Sequence, residues 1–251
     1  MEKNFWGTPR DIQLLDRLLK LQSLEDIVGT PNKPKRWIRG QGFKPFYHEK
    51  YDKNPQKYGK PKLAWWTKDH LYVEATNKGI NLILTKNDCK KIGNRFKKLH
   101  RNPDPAIFKA PMVITNQGFS RMAYCNFPVL FQHSLQSITS AQKDKDKDLL
   151  KFLAAVLRSK LATYFLFHTA ANWGTERGKV HLFELMRLPF PLPESTHDPK
   201  RSHAIISEVA NHINMLITLA KKEYLRVETS IGETEAAIEP LIFEYYRIYE
   251  R

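Results

Sequence analysis

The chain has only two cysteines in 251 residues, Cys89 and Cys125, and neither has a close Cys or His neighbour. That excludes a disulfide framework and a zinc ligand set, and leaves two reduced thiols. No apolar run reaches the roughly 20 residues that a membrane helix needs, and the polar start lacks the apolar stretch of a secretion signal. These absences point to a soluble, cytoplasmic protein. Catalytic signatures are missing as well. Gly40-Gln41-Gly42-Phe43-Lys44-Pro45 has two glycines of a dinucleotide-binding loop but Pro45 where the third belongs. Gly59-Lys60 runs into Pro61 instead of the Ser or Thr of a phosphate-binding loop, and Gly118-Phe119-Ser120-Arg121-Met122 lacks the closing glycine of a hydrolase elbow. None of the nine histidines stands in the His-Glu-x-x-His spacing of a metalloenzyme, so His133 and His168 read as packed or capping side chains.

Acidic charge is also scarce, but in one half only. Residues 1–125 hold 25 Lys/Arg against 11 Asp/Glu, whereas residues 126–251 hold 16 against 15. Residues 33–101 alone hold 19 basic and 5 acidic side chains, so one region carries the surplus behind the net charge of +15. A patch of one sign points to a polyanion, and nucleic acid is the commonest.

What is present divides the chain into basic, strand-like sequence and nearly neutral helical sequence. Thr8-Pro9 is an N-cap followed by Pro at the first helical position, and the apolar spacing after it predicts a helix over 9–21. Ser23 opens a short second turn. Arg36-Trp37-Ile38-Arg39 predicts a strand entering the turn Gly40-Gln41-Gly42-Phe43, and 44–62 reads as a long surface loop with interleaved aromatic and basic residues. Strands are expected at 63–66, 71–75, 80–84, 110–115, 121–126 and 129–133. A basic amphipathic helix is expected over 88–99. Lys143-Asp144-Lys145-Asp146-Lys147-Asp148 reads as a solvated loop leading into one wide-faced apolar helix over 149–165. A corner at Asn172-Trp173-Gly174 and a charged string to Lys179 lead to a second apolar segment and the stiff exit Pro189-Phe190-Pro191-Leu192-Pro193. Long helices are expected over 203–227 and 235–249.

Several of these stretches resemble a known family. They are Phe5-Trp6-Gly7-Thr8-Pro9-Arg10-Asp11, Gly40-Gln41-Gly42-Phe43, Phe108-Lys109-Ala110-Pro111 with Gln117-Gly118, and Arg158-Ser159-Lys160-Leu161-Ala162 with Trp173-Gly174-Thr175-Glu176-Arg177. Leu188-Pro189-Phe190-Pro191-Leu192-Pro193 and the ending Ile238-Glu239-Pro240-Leu241-Ile242-Phe243-Glu244-Tyr245-Tyr246 complete the set. Together they resemble the C-terminal target-recognition region of bacterial adenine-specific (N6) DNA methyltransferases of restriction-modification and related defence systems. The resemblance implies a domain that holds duplex DNA against a methyltransferase core and reads its sequence. It implies no cofactor on this chain, because the S-adenosylmethionine-binding domain has no counterpart here. The catalytic loop has none either: Asn102-Pro103-Asp104-Pro105 lacks the second proline and the stacking ring of an Asn-Pro-Pro-aromatic motif. The core would therefore lie in cis on a longer protein or in trans on another chain.

Under that reading Arg36, Arg39, Gln41 and Lys44 around the first turn, with Asn116, Gln117 and Arg121 at a hairpin, are the expected groove-facing residues. Lys90, Lys91, Arg95, Lys97 and Lys98 are the expected phosphate contacts. Arg177 and Lys179 are lesser candidates. The expected architecture is α+β: a mixed, largely antiparallel sheet with basic loops, a helical N-terminal lead-in and a helical C-terminal part. The boundaries fall at 1–31 (lead-in), 32–193 (recognition domain) and 194–251 (helical segment). Two other classes compete: a helical interaction subunit with nonspecific nucleic-acid binding, and a metal-dependent nuclease built on Asp69, Asp88 and Lys90.

Overall fold

Thr8 opens helix α1 (Pro9–Leu18) reciprocally with Asp11: the Thr8 N–H donates to the Asp11 carboxylate at 2.7 Å, and the Asp11 N–H donates back to the Thr8 hydroxyl at 3.4 Å. Both orphan donors of the first turn are thereby satisfied. Ser23 and Asp26 repeat the device for α2 (Leu24–Ile27). The structure, a computed structural model, describes residues 7–45, 56, 62–76, 81–92, 98–116, 121–140, 145–170, 180–222 and 227–248.

The strands are β1 (Val28–Gly29), β2 (Trp37–Gln41), β3 (Lys44–Pro45), β4 (Lys62–Leu63), β5 (Leu71–Val73), β6 (Lys90–Lys91), β7 (Lys98–Arg101), β8 (Met112–Asn116), β9 (Met122–Cys125), β10 (Leu130–Phe131) and β11 (Leu135–Ser140). The five-stranded sheet is ordered β1-β2-β11-β8-β9, antiparallel except for the β1–β2 pair. Two small sheets, β10-β5-β6 and β3-β7-β4, lie beside it in the chain. The remaining helices are α3 (Lys147–Arg158), α4 (Lys160–Thr169), α5 (Leu182–Met186), α6 (Pro199–Lys222) and α7 (Val227–Tyr245). The protein is α+β, as its sequence predicts. No helix among the described residues is long and apolar enough to cross a membrane.

Strand alternation gives the large sheet two apolar faces. Trp37, Val113, Tyr124 and Ile138 share one core with Leu15 and Leu18 of α1, Leu150, Phe152 and Leu153 of α3, and Ile213 and Ile242 of α6 and α7. Ile114, Ala123 and Leu135 share the other with Phe43, Leu99, Phe108 and Phe131. The proline exit is clasped from both chain ends. Phe190 N–H donates to the Gln22 carbonyl at 2.7 Å, while the hydroxyls of Tyr245 and Tyr246 donate to the Pro191 and Pro189 carbonyls, both at 2.8 Å. The Phe190 ring fills the space between Trp37 and Phe152, with centroids 5.7 and 5.8 Å away.

Several sequence expectations are corrected. The central strand β11 is unexpected, because Gln136, Ser137, Thr139 and Ser140 hide it from a hydropathy pattern, yet all six of its residues are buried. Its buried hydroxyls are bonded. Ser137 donates to the Ile107 carbonyl at 2.6 Å, and the Thr139 hydroxyl lies 2.8 and 2.9 Å from the Lys109 and Pro111 carbonyls. The helix expected over 88–99 is absent among its described residues, where the chain forms a 3-10 turn (Lys86–Asp88), β6 and the start of β7. Pairing with β5 wins there over the helical spacing of apolar residues. The single helix expected over 149–165 is two: Ser159 leaves helical geometry, donates to the Val156 carbonyl and accepts the Ala162 N–H, closing α3 and capping α4. The strand expected over 80–84 reduces, in its described part, to one bridge between Ile83 and Tyr124. The corner at 172–179 lies outside the described residues.

Asp146 corrects the reading of its charge run as a solvated loop, for it is fully buried. Its carboxylate accepts Arg36 Nε and Nη2 at 2.9 and 2.7 Å, Trp37 Nε1 at 3.0 Å and the Ser140 hydroxyl. One side chain thus ties β2 and β11 to the start of α3. Asp146→Asn keeps the shape but removes the charge that Arg36 and Trp37 address. It is expected to lose about 2–4 kcal/mol of stability, seen as a lower urea midpoint with an unchanged slope. A wild-type midpoint would contradict the anchoring role.

Candidate nucleic-acid interface

The turn between β2 and β3 is built on glycine for steric reasons. A Cβ on Gly42 would lie 2.2 Å from the Phe131 carbonyl oxygen, and one on Gly40 would lie 2.5 Å from Ile107 Cγ2. No side chain fits there, so the Gly-x-Gly pattern serves close backbone packing instead of a bound dinucleotide. Gly42 N–H donates to the Leu135 carbonyl and Phe43 N–H to the Phe131 carbonyl, so the turn is sewn to the strands beside it.

The basic and amide residues around this turn do different work. Arg36 is committed to Asp146, and its side chain is about one-third exposed (34%). Arg39 stands in β2 opposite Ile138 on the helix-side face, partly buried, and its Nε is buried without a hydrogen-bond partner. Gln41 donates through Nε2 to the His133 carbonyl at 2.5 Å. Lys44 stands in β3 directly opposite Arg101 of β7. At the β8–β9 hairpin the Asn116 side chain accepts the Arg121 N–H at 3.1 Å, and Arg121 Nη1 donates to the Ala75 carbonyl at 3.0 Å. Gln117 lies outside the described residues, as do Arg95, Lys97, Arg177 and Lys179. Lys90, Lys91 and Lys98 are exposed, and only Lys90 has a carboxylate in range among the described residues, Glu74 at 3.6 Å.

Two residues that the sequence reading passed over belong to this group. Arg101 donates through Nη2 to the Gly42 carbonyl at 3.1 Å, and His133 donates its backbone N–H to the Phe43 carbonyl at 2.9 Å. Partial burial pushes the Arg101 guanidinium pKa down. Burial and the nearby Arg101 and Lys44 charges hold His133 below its ordinary value of 6.5. The signal for Arg101 was the alternation Lys98-Leu99-His100-Arg101, which marks a strand; nothing local in the sequence marks His133.

Exposed lysines without a carboxylate partner occur in both layers among the described residues, Lys147, Lys200 and Lys221 in the helical one. Among the described residues the exposed Lys33, Lys86, Lys91, Lys98 and Lys109 have no carboxylate partner. In the helical layer Arg158 pairs with Glu235, Arg201 with Glu208 and Glu244, and the buried Lys151 with Asp148. No protein-family model matches the chain, and no curated protein matches it either. Geometry and charge are therefore what bear on its function.

The alternative chemistry finds little support in the geometry. The β5–β6 register leaves Asp69 beyond one end of that ladder and Asp88 beyond the other. The Asp88 carboxylate is also occupied, accepting the Thr85 N–H and hydroxyl at 2.9 and 2.6 Å. No group of three or more His, Cys, Asp or Glu side chains among the described residues is placed to hold a metal ion. Burial, helped by Asp88, pushes the Cys89 thiol up to about 12, so it is protonated at neutral pH and is no nucleophile there.

Gly42→Ala forces its new methyl against the Phe131 and Gln132 carbonyl oxygens and is expected to cost about 2–3 kcal/mol, measured by urea unfolding. Stability equal to the wild type would contradict the packing account of this turn.

Proposed function

We propose that this chain binds duplex DNA and reads its sequence for an adenine-N6 DNA methyltransferase whose catalytic core is absent from these residues. The observation that carries the proposal is the charge balance: residues 33–101 hold 19 basic against 5 acidic side chains, and their exposed Lys91 and Lys98 have no carboxylate partner among the described residues, whereas residues 126–251 are balanced at 16 against 15. Cations without internal partners are free to replace the counterions condensed on a phosphate backbone, which is the main source of affinity for duplex DNA. Lys91 and Lys98 suit phosphate contact. Arg39 carries the planar donor fork that reads guanine edges bidentately, and with its Nε buried the two terminal nitrogens are the donors left to do so. Arg36 belongs to the scaffold instead, through Asp146.

The methyltransferase part of the proposal rests on the family resemblance of the turns and helix ends. The chain would then need no cofactor of its own, and S-adenosylmethionine would bind the core. The helical layer would brace the recognition sheet and supply docking surface for that core.

Fluorescence anisotropy with duplex oligonucleotides tests the proposal. Affinity should fall steeply with salt, by a log–log slope of about −0.9 for each phosphate contact. Lys98→Ala should weaken all sequences alike and reduce that slope by about one, whereas Arg39→Ala should relax preference among sequences. Absence of binding at low salt would overturn the proposal, and equal, sequence-independent losses from both substitutions would favour a nonspecific nucleic-acid-binding protein.

A further inference from the structure

A cavity of about 290 Å³ lies where the end of α6 meets residues 83–87 and the turn after β9. Its walls are fixed by backbone pairing. The Leu84 N–H donates to the Tyr124 carbonyl at 2.9 Å and the Tyr124 N–H to the Leu82 carbonyl at 3.0 Å, which sews 82–84 along β9. Thr85 turns the chain there through its bonds to the Asp88 carboxylate, and Cys125 Sγ donates to the Phe127 carbonyl at 3.1 Å to hold the opposite turn. Leu84, Phe127 and Ala220 make a buried apolar floor, and the half-buried Ile217, one helical turn before Ala220, extends it. The rim is polar. Lys86, Asn87, Asn126 and Lys221 line it, all four are exposed, and among the described residues none of these side chains has a hydrogen-bond or ion-pair partner. No acidic side chain lines the cavity among the described residues.

We infer that this cavity binds a nucleoside monophosphate, its base over the apolar floor and its phosphate toward the two lysines. An apolar floor with one aromatic ring takes a flat heterocycle, and each asparagine amide offers two donors and an acceptor to the heterocycle's polar edge. Two ammonium groups with no carboxylate beside them call for an anionic group on the same ligand. The volume stands at the small end of the range for ligand sites, so it suits a mononucleotide and not a dinucleotide cofactor. S-adenosylmethionine is the wrong ligand, because its sulfonium would meet two like charges. The site does not rest on the duplex-binding proposal. Its chemistry serves a free nucleotide and the terminal nucleotide of a strand equally.

Calorimetric titration of the full chain with AMP and with GMP tests the site. At least one should bind saturably, and the matching nucleoside, lacking the phosphate, should bind more weakly. Lys86→Gln and Lys221→Gln should each weaken the nucleotide about two- to fivefold, the scale of one exposed ion pair, and should leave the nucleoside unchanged. Ile217→Trp should abolish binding by filling the cavity. Asn126→Asp, an exposed change of nearly equal shape, puts a carboxylate on the rim and should cost about three- to tenfold; it carries the test if Ile217→Trp does not fold. No saturable binding of either nucleotide, or binding unchanged in both Ile217→Trp and Asn126→Asp, overturns the site. A 5′-phosphorylated single-stranded oligonucleotide that displaces the nucleotide upholds the site with a strand end as its source, and one that does not upholds it with the free nucleotide. Duplex binding by a protein that ignores AMP and GMP removes the site and leaves the DNA proposal standing; nucleotide binding by a protein that ignores duplex does the reverse.

Discussion

The buried carboxylate of Asp146 is the joint on which this fold depends. It is wholly inaccessible to water, yet it accepts hydrogen bonds from Arg36, Trp37 and Ser140. A lone buried carboxylate is prohibitively unfavourable; one that is paired and fully bonded is tolerated. The bonds therefore require β2, β11 and the start of α3 to meet at one point. Around it the rings of Trp37, Phe190 and Phe152 pack in sequence at tilted angles, so the polar joint sits beside an aromatic cluster. The Pro189–Pro193 segment is held in turn by Gln22 from the N-terminal region and by Tyr245 and Tyr246 from α7.

That joint separates two kinds of surface. Behind the sheet, helices from both ends of the chain fill one core, and some of their charges pair, as Arg201 does with Glu208 and Glu244. On the other side the small sheets rest on a second core and carry lysines that no carboxylate neutralises among the described residues. Solvent-exposed ion pairs contribute little to stability, so the paired charges of the helical layer are no evidence of a sturdier half. The electrostatic asymmetry is one of balance: residues 1–125 hold 25 basic against 11 acidic side chains, and residues 126–251 hold 16 against 15.

Local chemistry was legible wherever it acted locally. Thr8-Pro9 predicted the start of α1, and the turn after Asn116 predicted the β8–β9 hairpin. The proline exit was legible as a stiff corner, though not the tyrosines that hold it. What stayed hidden depends on distant partners. Gln136, Ser137, Thr139 and Ser140 look like a surface stretch until Ser137 is seen bonded to the Ile107 carbonyl and Thr139 to those of Lys109 and Pro111. Asp146 looks solvated until Arg36 arrives from 110 positions away. Lys90 and Lys91 show the reverse failure, since the helical spacing expected from 88 onward is overridden there by pairing with β5. Within the candidate site, the basic surplus was plain from composition, whereas the pairing of Lys44 with Arg101 follows from strand register.

The central claim is that the basic strands and loops, and not the helical layer, meet the nucleic acid. Hydrogen exchange of the full chain, with and without excess duplex DNA at low salt, addresses it directly. Slower exchange in residues 33–44 and 98–109, with α6 and α7 unchanged, is the predicted result. Protection confined to α6 and α7, or none anywhere, would contradict the account.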